Sequence, residues 1–154
     1  MGVGVIGSYD DNLTLVDASV LKVARRTPIA ERLQALYSHL LSYIGQHKPD
    51  EVAIEEPFVA RNVRSAMAVG QAQAVAMIAA AASGISVTSY APREVKLAVT
   101  GFGDSTKEQV QEMVILSLSP ATNPMPLDAS DALAVAICHI NSRRVESLIS
   151  RQHN

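Results

Sequence analysis

Val52-Ala53-Ile54-Glu55-Glu56-Pro57-Phe58 decides the fold: three apolar residues run straight into two carboxylates and a proline. So short an apolar run reads as a buried parallel strand, and its carboxyl end carries the acids. A strand of that kind needs helices over both faces, and the sequence supplies them on either side. Upstream, Thr27-Pro28 opens a helix, with a hydroxyl able to cap and a proline where its missing N–H costs nothing. Ile29, Leu33, Leu36, Tyr37, Leu40, Leu41 and Ile44 then form one apolar face, closed by Gly45 and Pro49. Downstream, about Val63 to Ala82 is an Ala- and Met-rich helix stopped by Ser83-Gly84, and Ile85 to Tyr90 is a β-branched strand.

The rest follows the same logic. Ala91-Pro92-Arg93-Glu94-Val95-Lys96 begins a short helix that halts near Gly101-Phe102-Gly103. Ser105 and Glu108 make a capping-box pattern for a helix burying Val110, Met113, Val114 and Leu118. After a loop, a last helix runs from about Asp128 into the 140s, with Ser150 to Asn154 frayed. At the other end, Gly2 to Ile6 and Leu13 to Val23 are two strands about a polar turn, an antiparallel hairpin that needs a larger sheet to join. The order predicts a single α/β domain over 1–154, a mixed sheet flanked by helices. Four strands make a thin sheet for so many helices.

Composition narrows the function. In 154 residues, 48% are hydrophobic and 18% charged, a foldable globular balance. The Ala-rich runs stay short of the roughly 20 uninterrupted apolar residues that span a bilayer, and no basic segment precedes an apolar one at Met1, so the expectation is a cytoplasmic protein with no membrane partner. The single Cys138 excludes an internal disulfide and a multi-cysteine zinc site. A net charge of -2 is not that of a protein coating DNA nonspecifically, yet a local basic surface around an acidic metal site is compatible with it.

Glu55 stands at a strand's carboxyl end, where open α/β sheets place their crevices, although a solvated strand terminus looks the same. Glu56 points to the opposite face. Asp128 and Asp131, three apart, share one side of a first helical turn. Acids at a helix start can simply answer the dipole, but Ala132 to Ile137 marks a helix buried against the sheet, which carries that turn over the crevice. Three carboxylates brought together call for a hard cation, Mg²⁺ or Mn²⁺. Arg61, Arg64, Arg93, Lys96 and Lys107 near element starts could hold phosphates, or be ordinary surface. Phe58 could stack on bases or anchor its loop. His139 lies too far along the helix for one metal shell and is a candidate outer group; Cys138 reads as a small buried hydrophobe.

Together these segments resemble RuvC-type Holliday junction resolvases: Ala53 to Phe58 with Arg61-Asn62, Ala66 and Gly70-Gln71-Ala72; Ala91 to Lys96; Gly101-Phe102-Gly103 with Lys107 and Val110; and Asp128 to Ala136 with His139. The resemblance implies an RNase H-like fold, a homodimer formed through the helix after Phe58, branch-migration partner proteins, and Mg²⁺- or Mn²⁺-dependent symmetric cutting of four-way junction DNA. By the same resemblance Glu55, Asp128 and Asp131 match three of four metal-binding carboxylates, Lys96 and Lys107 the basic residues near the scissile region, and Phe58 the aromatic at the junction. The family's first strand carries Gly-Ile-Asp-Pro-Gly, whereas Met1 to Ile6 matches the segment after it, so the first strand and its aspartate are expected to be missing. Asp10 and Asp11, in the hairpin turn, are no obvious substitutes. The alternatives are a non-catalytic junction-binding protein and another RNase H-like structure-specific nuclease.

Overall fold

Alternation along the first nine residues sets the layering. In the computed structural model, which describes residues 1–10, 12–24, 26–57, 63–118 and 125–152, β1 (Gly2–Tyr9) pairs antiparallel with β2 (Asn12–Val20). The hairpin turns where Tyr9 faces Asn12, with Asp10 at a φ of 45°. Met1 and Val3 pack with Leu36, Leu40 and Ala79, while Gly2 and Gly4 face the helix on the other side. Those packing partners come from α1 (Ile29–His47) and α2 (Val63–Ala82). Between these helices in sequence lies β3 (Glu51–Glu55), which pairs in parallel with β4 (Ser86–Tyr90), Glu55 opposite Tyr90.

The second helical layer is α3 (Pro92–Thr100), α4 (Lys107–Leu118) and α5 (Leu127–Gln152). Val95, Val99, Val110, Val114, Leu133 and Ile137 bury one another there, and Ile6, Leu13 and Leu15 of the hairpin pack onto them. Cys138 is buried in this cluster, as expected of a small hydrophobe. The result is helices over both faces of the strands, an α/β domain.

Three local expectations are corrected. Thr27 does not cap α1: the helix starts after Pro28 with no side-chain cap. The second capping pattern lies one residue later than expected. Thr106 Oγ1 accepts from the Gln109 N–H at 3.3 Å and Gln109 Oε1 from the Thr106 N–H at 2.9 Å, because the Ser105 hydroxyl is committed to the preceding turn. The hairpin was expected to join one larger sheet; among the described residues there are instead two separate two-stranded sheets, β1-β2 and β3-β4.

Between them runs a slot of about 1210 Å³. Met1 to Ser8 line one side and Glu51 to Glu55 the other, α5 forms the floor, and α1 with α2 forms the roof. Among the described residues, the edges of β1 and β3 that face this space have no ladder partner. Such edges are templates for a further strand.

Gly2 is required by close approach: a Cβ there would overlap the Asp128 carbonyl. At Gly4 a Cβ would stand 2.6 Å from the Leu133 side chain, which is fully buried. Gly2→Val should therefore push away the first turn of α5 and lower stability by about 1–3 kcal/mol, the usual range for overpacking. Thermal unfolding of the variant checks this; an unchanged midpoint would remove β1 from that contact.

At the far end of β3, Glu51 organises a polar chain that runs from the core to the surface. Tyr90 Oη and His139 Nδ1 are 2.9 Å apart, His139 Nε2 lies 2.5 Å from Glu51 Oε2, and Arg143 reaches Glu51 Oε1 at 3.0 Å. The His139 hydrogen bond, with the charges of Arg143 and His139, holds the Glu51 carboxyl below its ordinary value against the opposing effect of burial. A depressed carboxylate stabilises the fold above its unfolded pKa, and that stability is lost as pH falls through the lower folded value. Glu51→Gln should cost about 1–3 kcal/mol at neutral pH, with the gap to the parent closing on acidification. Denaturant titrations at neutral pH and near pH 3 measure it; a constant gap would contradict it.

Candidate active site

Glu55 ends β3 at the mouth of the slot, and α5 brings its acids to the same place because Gly2 lets β1 lie against its first turn. The start of α5 is fixed by Pro126, whose carbonyl accepts from the Ala129 and Ser130 N–H groups, each at 3.0 Å. Asp128 and Asp131 then both line the slot with Glu55. Glu56 continues the β3 ladder, its N–H donating to the Tyr90 carbonyl at 2.8 Å.

Charge distinguishes this end of the slot. Burial, and then the negative charge of Asp131, push the Glu55 carboxyl above its ordinary value, while Lys107 and Lys96 pull it down. Lys107 Nζ stands 3.6 Å from Asp131 Oδ2 in an exposed pair, the kind that contributes little stability. Glu55, Asp131, Lys96 and Lys107 thus share one electrostatic neighbourhood. A carboxyl held up by burial and by a neighbouring acid, with lysines as the nearby cations, is the arrangement that a hard divalent ion relieves.

The fit is partial. Among the described residues no group of three His, Cys, Asp or Glu side chains is gathered closely enough to hold a metal ion. Glu55 and Asp131 are brought together; Asp128 shares their wall without completing a three-ligand cage. Their oxygens are the donors that Mg²⁺ and Mn²⁺ prefer, so the residues fit such an ion chemically as an open, incompletely assembled site.

Of the other expected residues, Arg64 lies exposed in the first turn of α2, and Arg93 lies against Gly103 in the turn after α3. Phe58 and Arg61 fall outside the described residues. His139 is no outer group of this site: it belongs to the Glu51 chain at the opposite end of β3, about 13 Å away at strand rise. Sequence reasoning missed Gln73. Its side-chain amide donates to the Glu55 carbonyl, tying α2 to the end of the acidic strand. A glutamine set between alanines, Ala72-Gln73-Ala74, was the signal available.

This arrangement has close counterparts. The family model for the crossover junction endodeoxyribonuclease RuvC matches residues 1–139. The chain is 48% identical over 151 residues to the RuvC of Dehalococcoides mccartyi strain 195, covering 98% of this chain and 92% of that protein. It is 47% identical over 139 residues to the Chloroflexus aurantiacus (strain J-10-fl) protein, covering 90% and 85%. Among solved structures, Thermus thermophilus RuvC in complex with a Holliday junction substrate superposes with a TM-score of 0.86 at 32% identity, covering 94% of this chain and 88% of that one. The T. thermophilus protein in a second structure gives 0.83. The layered α/β architecture is accordingly RNase H-like. With a family model over nine-tenths of its length, relatives near half identical and a matching solved fold, the chain belongs to the RuvC family of Holliday junction resolvases.

Proposed function

We propose that this chain is a junction endonuclease that hydrolyses phosphodiesters of four-way DNA junctions, with Glu55, Asp131 and Asp128 as its metal ligands. The observation that carries this reading is the convergence of Glu55 and Asp131 with Lys96 and Lys107 at one end of the slot. Mg²⁺, or Mn²⁺ in its place, would supply an activated water and charge stabilisation at the phosphate. The carboxylates hold the charge that places the ion. Lys107, with its long exposed side chain, moves from Asp131 to a phosphate oxygen when DNA arrives, and Lys96 adds a second positive charge. Arg64 and Arg93, together with Arg61 and Phe58, extend the DNA surface.

Two features of the fold support the rest of the assembly. The exposed side of α2 carries Val63, Met67, Met77 and Ile78, and α2 is the one helix among the described residues long and apolar enough to cross a membrane by length and composition. In a nuclease family that face is better matched to a second copy of the chain, and a homodimer supplies the two sites that paired cuts need. Gln73 would then link the dimer helix to Glu55. The reaction belongs in the bacterial cytoplasm, alongside branch-migration partner proteins.

The slot has a preferred occupant. The amino end of β1 and the carboxyl end of β3 both lie at the acidic mouth, so the two strands run in opposite senses. A strand leading into Met1 antiparallel to β1 would run parallel to β3 and end beside Glu55, Asp128 and Asp131. A carboxylate at that end would complete the metal site. The incompletely gathered acids favour a second reading for the chain without that strand, a junction-binding protein that does not cut.

Lys107→Ala tests the DNA surface. Junction affinity should fall for all sequences, and the slope of log affinity against log salt should shrink by about 0.9, the release of one counterion. Equal slopes for the parent and the variant would remove Lys107 from the DNA contact.

A further inference from the structure

The turn between α3 and α4 is held more tightly than a connection requires, and it holds up an aromatic ring. Gly101 closes α3 with a φ of 81° and donates its N–H to the Leu97 carbonyl at 2.9 Å. The Phe102 N–H donates to Thr100 Oγ1 at 3.1 Å. The Phe102 carbonyl accepts from the Ser105 hydroxyl at 2.8 Å, and that hydroxyl lies 2.6 Å from Thr100 Oγ1. On the far side, a Cβ on Gly103 would stand 2.9 Å from Cγ and Nε of Arg93, so the Arg93 side chain lies across the turn. Both peptide groups of Phe102 are thus fixed, yet 75% of the residue is exposed. An exposed phenylalanine alone is ordinary; one on a backbone pinned from both sides is presented.

Its surroundings select the partner. Arg93, Lys96 and Thr100 share a face of α3 at i, i+3 and i+7, and that face carries the turn through Arg93 and Thr100. Lys107 begins the next helix. Lys96 and Lys107 both act on Glu55. The nearby acids are Asp104 in the same turn, Glu108 beside Lys107 in the first turn of α4, and Glu94, whose carboxylate is occupied by the Ala91 N–H at 2.7 Å. A flat apolar ring framed by cations beside an acidic cleft suits a nucleobase whose backbone the cations hold, better than it suits an apolar peptide.

We propose that Phe102 is a base-stacking residue, packing on an unpaired or terminal base of the bound DNA next to the phosphate held by Lys96 and Lys107. The inference rests on the junction-nuclease reading and adds an aromatic contact of its own at the turn between α3 and α4. Stacking tolerates any base, because every base offers a π-face, so Phe102 favours opened junction geometry over paired duplex without reading sequence.

The chain contains no tryptophan, so Phe102→Trp introduces a single indole whose emission reports on this position. Labelled four-way junction is added in EDTA, so that binding is followed by anisotropy without cutting. Emission should fall by at least half at saturation, while Tyr9→Trp, at an equally exposed hairpin tip, keeps its emission. Phe102→Ala and Phe102→Leu should each weaken junction binding about tenfold with an unchanged salt slope, and Phe102→Trp should bind like the parent. Undiminished Phe102→Trp emission in a formed complex, equal quenching of both indoles, or full affinity in Phe102→Leu would overturn the stacking assignment and leave the nuclease reading standing. No anisotropy change with the parent chain would overturn both.

Discussion

Asp131→Asn, in a protein whose slot is filled, should lower junction cleavage by about a thousandfold or more while junction affinity stays within about twofold. Ion placement and DNA binding fall to different residues. Asp131 shares its field with Glu55, adding to burial in raising the Glu55 carboxyl above its ordinary value, and this shared charge is what would place a divalent ion. An amide of the same shape removes the charge, and the loss of ion placement forfeits about 4 kcal/mol or more of transition-state stabilisation. Binding draws instead on Lys96, Lys107 and the arginines, and the substitution frees Lys107 from its 3.6 Å partner. A gel shift and a nicking assay on one preparation measure both quantities. Normal nicking would remove Asp131 from the metal site; lost binding would make it structural.

Filling the slot should have an effect of similar size. The open edges of β1 and β3 face about 1210 Å³ of space between two helical layers, and unpaired backbone groups in such a place are costly. A form carrying five or six apolar residues and then Asp-Pro-Gly ahead of Met1 should melt well above the 154-residue chain. It should also cut junctions at least a hundredfold faster, because the added carboxylate arrives beside Glu55 and Asp131. The same extension with Asn for Asp separates the two gains: stability should rise and cleavage should not. Equal melting points for the extended and 154-residue forms would show that the slot is not a strand site.

Much of this was legible in the residues, for identifiable reasons. β3 could be read because three apolar residues ending in acids have few other uses, and α1 because seven apolar positions keep helical spacing. Asp128 and Asp131 could be placed over the crevice because Ala132 to Ile137 needs burial. The first turn of α4 was misread because Ser105-x-x-Glu108 and Thr106-x-x-Gln109 are overlapping capping patterns. Only the contact of Ser105 with Thr100 and the Phe102 carbonyl decides between them. Gly2 and Gly4 fit no phosphate-binding motif, and their actual use, contact with Asp128 and Leu133, depends on a helix more than a hundred residues away. His139 lies too far along α5 for the metal shell and reads from sequence as a candidate outer group; its partners Glu51 and Tyr90 come from strands whose register the sequence does not state. The failure to join one sheet could not be read locally either, because an unpaired edge has the same side chains as a paired one.

The account stands on junction cleavage by this acidic cleft, and the direct measurement is magnesium-dependent nicking of a mobile four-way junction beside a linear duplex of the same sequence, using the slot-filled form. The prediction is paired nicks in two junction strands of like polarity, none in the duplex, and none in either when magnesium is chelated. Intact junctions at protein concentrations where a gel shift shows them fully bound would contradict it, and would make this chain a junction-binding protein that does not cut.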